Sequence, residues 1–247
     1  MTNVIELHSV SKKYSKSNRF SLEDVSFSIK KGEKLGVFGP NGAGKTTLMS
    51  ILCRIISQTS GEVNYKSESG NLSNNAFLNS IGYVPQDFSL YAELSPYQNL
   101  RYFGTLYGIQ KADLAERIDE LLTVLGLYHV RHKKIHTFSG GMKRRVNLAI
   151  GIINNPSILF LDEPTVGVDV QSKNAIMAYL EELNKKGTTI IYTSHHMNEA
   201  EEFCDNIVLL DQGKLIVHDD LKSLIKKHNA TDLQALFLQL TGIEYRD

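Results

Sequence analysis

The stretch KLGVFGPNGAGKTTLMSILCRII, residues 34–56, passes from an apolar strand at Leu35–Phe38 through a glycine-rich turn into a helix with apolar periodicity. Its centre, Gly39-Pro40-Asn41-Gly42-Ala43-Gly44-Lys45-Thr46, fits G-x-x-x-x-G-K-[ST] and stands at the strand-to-helix junction that a phosphate-binding loop requires. Each position has a physical task. The glycines let successive amide N–H groups curl around phosphate oxygens, and the helix N-terminus adds partial positive charge. Lys45 reaches the β- and γ-phosphates, and the hydroxyl of Thr46, beside Thr47, takes a Mg²⁺ position. The bland alternative, a glycine-rich turn with a solvated lysine, does not account for the strand before it and the helix after it.

Working outward, IELHSVSKKY, LEDVSFSI and KLGVFG read as three short opening strands, with Lys31-Gly32 turning between the last two. GEVNY returns as a strand after the loop's helix. Residues 67–80 are polar and rich in Gly, Ser and Asn, which reads as a surface excursion before the strand Ile81–Val84. Between Pro96 and Asn155 the texture becomes helical. Ser95-Pro96 looks like a cap followed by proline at the first helical position, with Leu100, Phe103 and Tyr107 on one face. Leu114, Ile118, Leu121, Leu122 and Leu125 continue the spacing until Gly126 stops it. From Ser157 strands and helices alternate again: SILFLDE, a helix bearing Ile176, Leu180 and Leu183, TTIIYT, a short helix, then IVLL-DQGK-LIVH as a hairpin. Two short amphipathic helices close the chain.

With 247 residues, 42% hydrophobic and 22% charged, the composition is that of an ordinary globular chain and excludes collagen-like, coiled-coil and wholly disordered readings. The 27 basic and 27 acidic side chains cancel, which removes the general attraction of a sequence-independent nucleic-acid binder. No run of about 18 apolar residues occurs, and the start lacks a signal peptide's pattern, so the chain is expected to stay in the cytoplasm where it is made. Cys53 and Cys204 lie far apart without ligand spacing and are expected as reduced thiols.

Ile158-Leu159-Phe160-Leu161-Asp162-Glu163 is a buried-strand pattern ending in two carboxylates, at the strand end where ligands sit in open α/β sheets. Asp162 is placed to orient Mg²⁺, and Glu163 to polarise the water that attacks a γ-phosphate. Surface acids ahead of the Pro164 turn are the alternative.

FSGGMKRRVNLAIGI, Phe138 to Ile152, resembles the signature of ABC-type ATPases, usually LSGGQ followed by a basic, apolar helix. Ser139, Gly140 and Gly141 open that helix and so present a hydroxyl and amides to an anion. The resemblance implies an α/β P-loop NTPase (RecA-like) core with an N-terminal antiparallel β subdomain and an inserted α-helical subdomain. It places the ATPase domain at residues 1–220, the helical insert at about 87–155, and a short C-terminal helical extension at 221–247. It further implies that the signature of one copy covers the γ-phosphate on the loop of another, so that ATP holds two cassettes, identical or paralogous, head to tail. Phe138 in place of Leu and Met142 in place of Gln resemble the branch serving ABC-2-type export permeases. Tyr14 then stands where a ring stacks on adenine, although a half-buried strand tyrosine reads equally simply. Gln86 resembles the glutamine that approaches Mg²⁺ and the attacking water. Asp169 occupies the D-loop place, with altered wording at Val170. His195, directly after Thr193-Ser194, fits the switch histidine at the γ-phosphate better than His196 does.

The reading that follows is an ATP-hydrolysing, Mg²⁺-using subunit that powers transport through a separate transmembrane permease, peripheral on the inner face of the cell membrane. Phe88, Leu90, Tyr91 and the helix from Pro96 to Tyr107 are candidate walls for a short permease helix, or plain core packing. A soluble ABC ATPase of translation or DNA repair is the first competitor, and the balanced charge gives it no nucleic-acid footprint. A small-molecule kinase is the second, and it leaves Gln86, the SGG helix and His195 without a task.

Overall fold

A computed structural model of the chain describes residues 2–15, 17–67, 70–194 and 197–242. The elements run β1 (Asn3–Lys13), β2 (Phe20–Lys30), β3 (Lys34–Phe38), α1 (Lys45–Leu52), β4 (Ser60–Ser67), β5 (Gly70–Asn71) and α2 (Asn74–Ser80). Then come β6 (Ile81–Val84), α3 (Pro96–Leu106), α4 (Lys111–Val124), α5 (Gly140–Gly151), β7 (Ile158–Asp162) and α6 (Val170–Lys185). Last are β8 (Thr189–Thr193), α7 (Met197–Phe203), β9 (Asn206–Asp211), β10 (Lys214–Asp220), α8 (Leu221–His228) and α9 (Leu233–Thr241). They form two compact units, residues 1–77 with 189–247, and residues 78–188.

In the first unit an antiparallel sheet has the order β2-β1-β4-β5. The first two opening strands are not short: each runs eleven residues. Ser9 and Asp24 adopt left-handed backbone where the β1–β2 register slips, so alternation resumes with Val10 opposite Val25 and both facing the core. The second sheet of this unit is mixed. β3 runs parallel to β8 and to β9, and β9 turns back antiparallel into β10 through Gln212 and Gly213, both with positive φ. Every residue of β8 is buried, the pattern of a strand covered on both faces.

The segment read as a surface excursion contains a helix. Asn74–Ser80 forms α2 because Phe77 is driven under β4, where it packs on the Tyr65 ring at 3.9 Å with the Arg54 guanidinium 5.0 Å away. One aromatic among polar neighbours carries too little periodicity to announce a helix. Tyr65 in turn donates to the carbonyls of Ile51 and Leu52 at the end of α1, at 3.2 and 3.1 Å. Burial pushes its phenol up to about 12, so it stays a donor.

In the second unit β6 and β7 pair in parallel. α3 starts at a complete capping box between Ser95 and Gln98 with Pro96 at its first turn. Its buried face is Pro96, Asn99, Leu100 and Gly104; of the Leu100–Phe103–Tyr107 stripe Leu100 is buried, Phe103 is half-buried, and Tyr107 lies just past the helix and exposed. Gly104 explains this face: Leu114 of α4 occupies the space a side chain there would need, with a methyl 2.2 Å from the Cβ position. α4 buries Leu114, Ile118, Leu121 and Leu122, and Gly126 follows it with φ 67.

His218 on β10 packs its ring 5.3 Å from Phe27 of β2. Desolvation, aided by Lys30 and opposed by Asp219, holds its pKa below the ordinary 6.5. The neutral imidazole therefore belongs to the fold, and its contribution is present above pH 6.5 and lost as pH falls through the lowered folded value. Between about pH 7.5 and 5 the urea midpoint of the wild type is expected to fall more steeply than that of His218→Phe, and parallel curves would remove His218 from this role.

Candidate functional site

The phosphate loop is shaped by the first unit. Gly39 follows the buried strand residue Phe38 with φ 148, and a Cβ there would lie 2.1 Å from the Leu210 carbonyl oxygen of β9. Gly44 has φ 106, and a Cβ would lie 2.5 Å from the Ser21 carbonyl oxygen. Only glycine serves at either position, for conformation and for room. The β9–β10 turn braces the loop: Gly213 N–H donates to the Ala43 carbonyl at 3.0 Å, and the Gly213 carbonyl accepts from Glu23 N–H at 2.8 Å.

At the start of α1 no side chain caps the helix and no acid stands in its first turn, so its partial positive charge is left for an anion. The Lys45 ammonium folds over the loop, donating to the carbonyls of Gly39 at 2.7 Å and Pro40 at 3.2 Å, and is buried there. Tyr14, just past β1, brings its hydroxyl to 3.5 Å from that of Thr47. Tyr14 is 43% exposed, with the Lys12 ammonium 5.4 Å from its ring centre.

The second unit carries the acids. β7 is buried throughout and delivers Asp162 and Glu163, each only 5% exposed. Glu163 sits in the left-handed region at φ 51, a strain of about 1 kcal/mol or more that the surrounding fold must hold. Its Oε2 accepts from the Gln86 side-chain amide at 2.8 Å. The structure thus joins two residues that lie 77 positions apart.

Two neighbours were not singled out in the sequence. Arg144 of α5, 4% exposed, donates to the carbonyls of Gln86 at 2.7 Å, Pro85 at 3.3 Å and Val166 at 3.4 Å, with its guanidinium 4.9 Å from the Phe88 ring centre. Burial lowers its pKa, and the carboxylates of Glu163 and Asp87 pull it back up. Asn147, one turn on, donates to Pro85 carbonyl and accepts from Ser89 N–H, both at 3.1 Å. Polar residues three apart on a helix give no signal until their burial is known.

Ser139 caps α5, its Oγ accepting from Met142 N–H at 3.3 Å. Gly141 is closed in: a Cβ would lie 2.6 Å from Ser172 Oγ and 2.7 Å from Asp169 Oδ2, whereas at Gly140 the nearest atom is the Gly167 carbonyl oxygen at 3.3 Å. Asp169 caps α6, accepting from Ser172 N–H and Ser172 hydroxyl at 2.8 Å each, and those two bonds hold its pKa down. His195 and His196 lie outside the described residues.

Cys53 and Cys204 are buried and not joined in a disulfide. Among the described residues no three His, Cys, Asp or Glu side chains gather as a metal cage.

Residues 22–166 match the family described as ABC transporter. The chain belongs to that family. The cassette is accordingly an ATP-binding and ATP-hydrolysing transporter subunit. It is 39% identical over 213 residues to the linearmycin resistance ATP-binding protein LnrL of Bacillus subtilis (strain 168), covering 86% of this chain and 68% of that protein. It resembles the solved ATP-binding subunit of an ABC transporter with a TM-score of 0.86 at 26% identity, over 96% of this cassette and 99% of that chain. It also resembles the cassette MJ0796 in a dimeric post-hydrolysis state bound to ADP and Pi, with a TM-score of 0.78 at 28% identity, over 88% and 98% of the two chains.

The crowding at Gly141 has a consequence without nucleotide. Gly141→Ala is expected to lower unfolding free energy by about 1–3 kcal/mol, the range for overpacking, with Gly140→Ala near neutral. Urea unfolding of the nucleotide-free variants checks this, and equal stabilities would contradict it.

Proposed function

We propose that the cassette energises export through a separate permease, as a head-to-tail dimer closed by ATP. The observation carrying this reading is the buried, strained Glu163 held by Gln86 in a chain of this family. Export is supported by the similarity to a relative named for linearmycin resistance, and by the FSGGM wording of the signature. Among the described residues no helix is long and apolar enough to cross a membrane, so the pathway is assigned to another polypeptide. That permease would hold the cassette on the inner face of the cell membrane.

Each residue has a role in this reading. The loop amides of residues 39–47 and the Lys45 ammonium hold the triphosphate, and the exposed face of Tyr14 stacks on adenine. Thr46 hydroxyl, Asp162 carboxylate and Gln86 amide oxygen are the hard oxygen donors assigned to Mg²⁺, which supplies charge neutralisation on the phosphates when bound. The Gln86 amide N–H₂ bonded to Glu163 leaves its oxygen available for that task. Glu163 accepts a proton from the attacking water, and its bond to Gln86 aims the carboxylate. Ser139, Gly140 and Gly141 of the opposing copy, with His195, stabilise charge on the γ-phosphate. Exposed Phe88, Tyr91 and Tyr102, the last two in edge contact at 5.2 Å, form with Leu90 and α3 the surface assigned to a short permease helix.

Glu163→Gln is expected to keep ATP binding and lose about 10²–10⁴-fold in turnover, the usual worth of a general base. Phosphate release within threefold of the wild type (about 0.65 kcal/mol) would remove Glu163 from that role. With ATP this slow variant should be dimeric by light scattering, and a monomer at saturating ATP would contradict the shared-nucleotide arrangement. Affinity isolation of the tagged cassette from detergent-solubilised membranes should bring down a polytopic membrane protein, and recovery of the cassette alone would count against a separate permease.

A further inference from the structure

The segment that carries Gln86 makes few bonds of its own. After β6 ends at Val84, residues 85–89 have no regular structure. α5 grips this segment four times: Arg144 Nη1 donates to the carbonyls of Pro85 and Gln86, Asn147 Nδ2 donates to Pro85, and Asn147 Oδ1 accepts from Ser89 N–H. Both gripping side chains are buried, Asn147 at 2% exposure. A second Arg144 nitrogen reaches Val166, which follows the carboxylate strand by four residues.

These groups are costly to place. Among the described residues the buried Arg144 Nε has no hydrogen-bond partner. An apolar α5 face would pack here with less penalty. What the two polar side chains achieve that apolar ones would not is a fixed backbone at Pro85–Ser89, from which the Gln86 side chain reaches Glu163 at 2.8 Å.

We propose that Arg144 and Asn147 are positioning residues for hydrolysis: from the helix that opens with Ser139-Gly140-Gly141 they clamp the backbone at 85–89 and so hold Gln86 against the Glu163 carboxylate. The same helix thereby ties the motif offered to the opposing copy to the carboxylate used in its own. The clamp rests on the roles given above to Gln86 and Glu163, and it acts through Gln86 rather than on ATP.

The test is a double-mutant cycle on the full cassette, reading phosphate release against ATP concentration and thermal unfolding in parallel. Asn147→Ala should lower kcat by about tenfold or more, as expected when a reacting group shifts by a fraction of an ångström, with KM for ATP within about twofold of the wild type. In a Gln86→Ala background the same substitution should change kcat less than about twofold, because residues acting as one unit do not add. Arg144→Lys, which keeps the charge and one donor and preserves the helix, should repeat the pattern with a smaller loss, and it carries the test where Asn147→Ala fails to fold.

An equal loss in both backgrounds would reduce the pair to structural support and overturn the proposal. So would wild-type kcat in Asn147→Ala alongside a slowed Gln86→Ala, which leaves the roles of Gln86 and Glu163 standing. Wild-type kcat in Gln86→Ala itself would instead overturn those roles, and with them the route proposed here.

Discussion

The backbone of the loop from Gly39 to Gly44 is the constraint from which the first unit is built. Its turn demands φ 148 and φ 106 at its two ends, and carbonyl oxygens of Leu210 and Ser21 fill the space where side chains would project. These are contacts from β9 and from β2, elements that lie far from the loop in sequence. The loop is therefore not a free turn that closes on a ligand. It is seated on a mixed sheet and pinned by Gly213 of the β9–β10 hairpin, and its amides are pre-aimed before any phosphate arrives. Preorganisation of this kind spares the entropy that a disordered loop would lose on binding.

The second unit solves a different problem, which is how to keep a carboxylate reactive inside a buried strand end. Glu163 is strained, nearly enclosed, and bonded by the neutral side-chain amide of Gln86. Arg144 lies near enough for its charge to be felt and is spent on backbone carbonyls instead. The crowding of Gly141 against Asp169 and Ser172 adds that the starts of α5 and α6 are one packed junction. The second signature glycine is thus required by packing as well as by any approach of phosphate.

The order of elements, the helical interruption and the β9–β10 hairpin were legible because each rests on local physics: periodicity, a capping serine before proline, glycine after a helix. α2 was not, since its one buried aromatic is fixed by Tyr65, a tertiary partner. The burial of α3 was not legible for a related reason, because a glycine at 104 let α4 approach a face that hydrophobicity alone did not mark. Among site residues, the loop, Asp162 and Glu163 stood out through residue type at a junction, and Gln86 only through the family resemblance. Arg144 and Asn147 did not, because a basic residue and an amide on a helix ordinarily face water, and only their burial gives them meaning. His195 lies outside the described residues.

The groups assigned above to phosphate and those assigned to the attacking water are carried by different compact units, residues 39–47 in one and residues 86 and 163 in the other. Each set is organised by neighbours within its own unit: Leu210, Ser21 and Gly213 for the loop, Arg144 and Asn147 for the segment bearing Gln86. For a transporter subunit this separation is useful. In the proposed cycle ATP is captured by the braced loop as the Lys45 ammonium exchanges loop carbonyls for phosphate oxygens, while cleavage waits on a glutamine whose backbone is held by side chains and not by a strand, the kind of restraint that a conformational change can release.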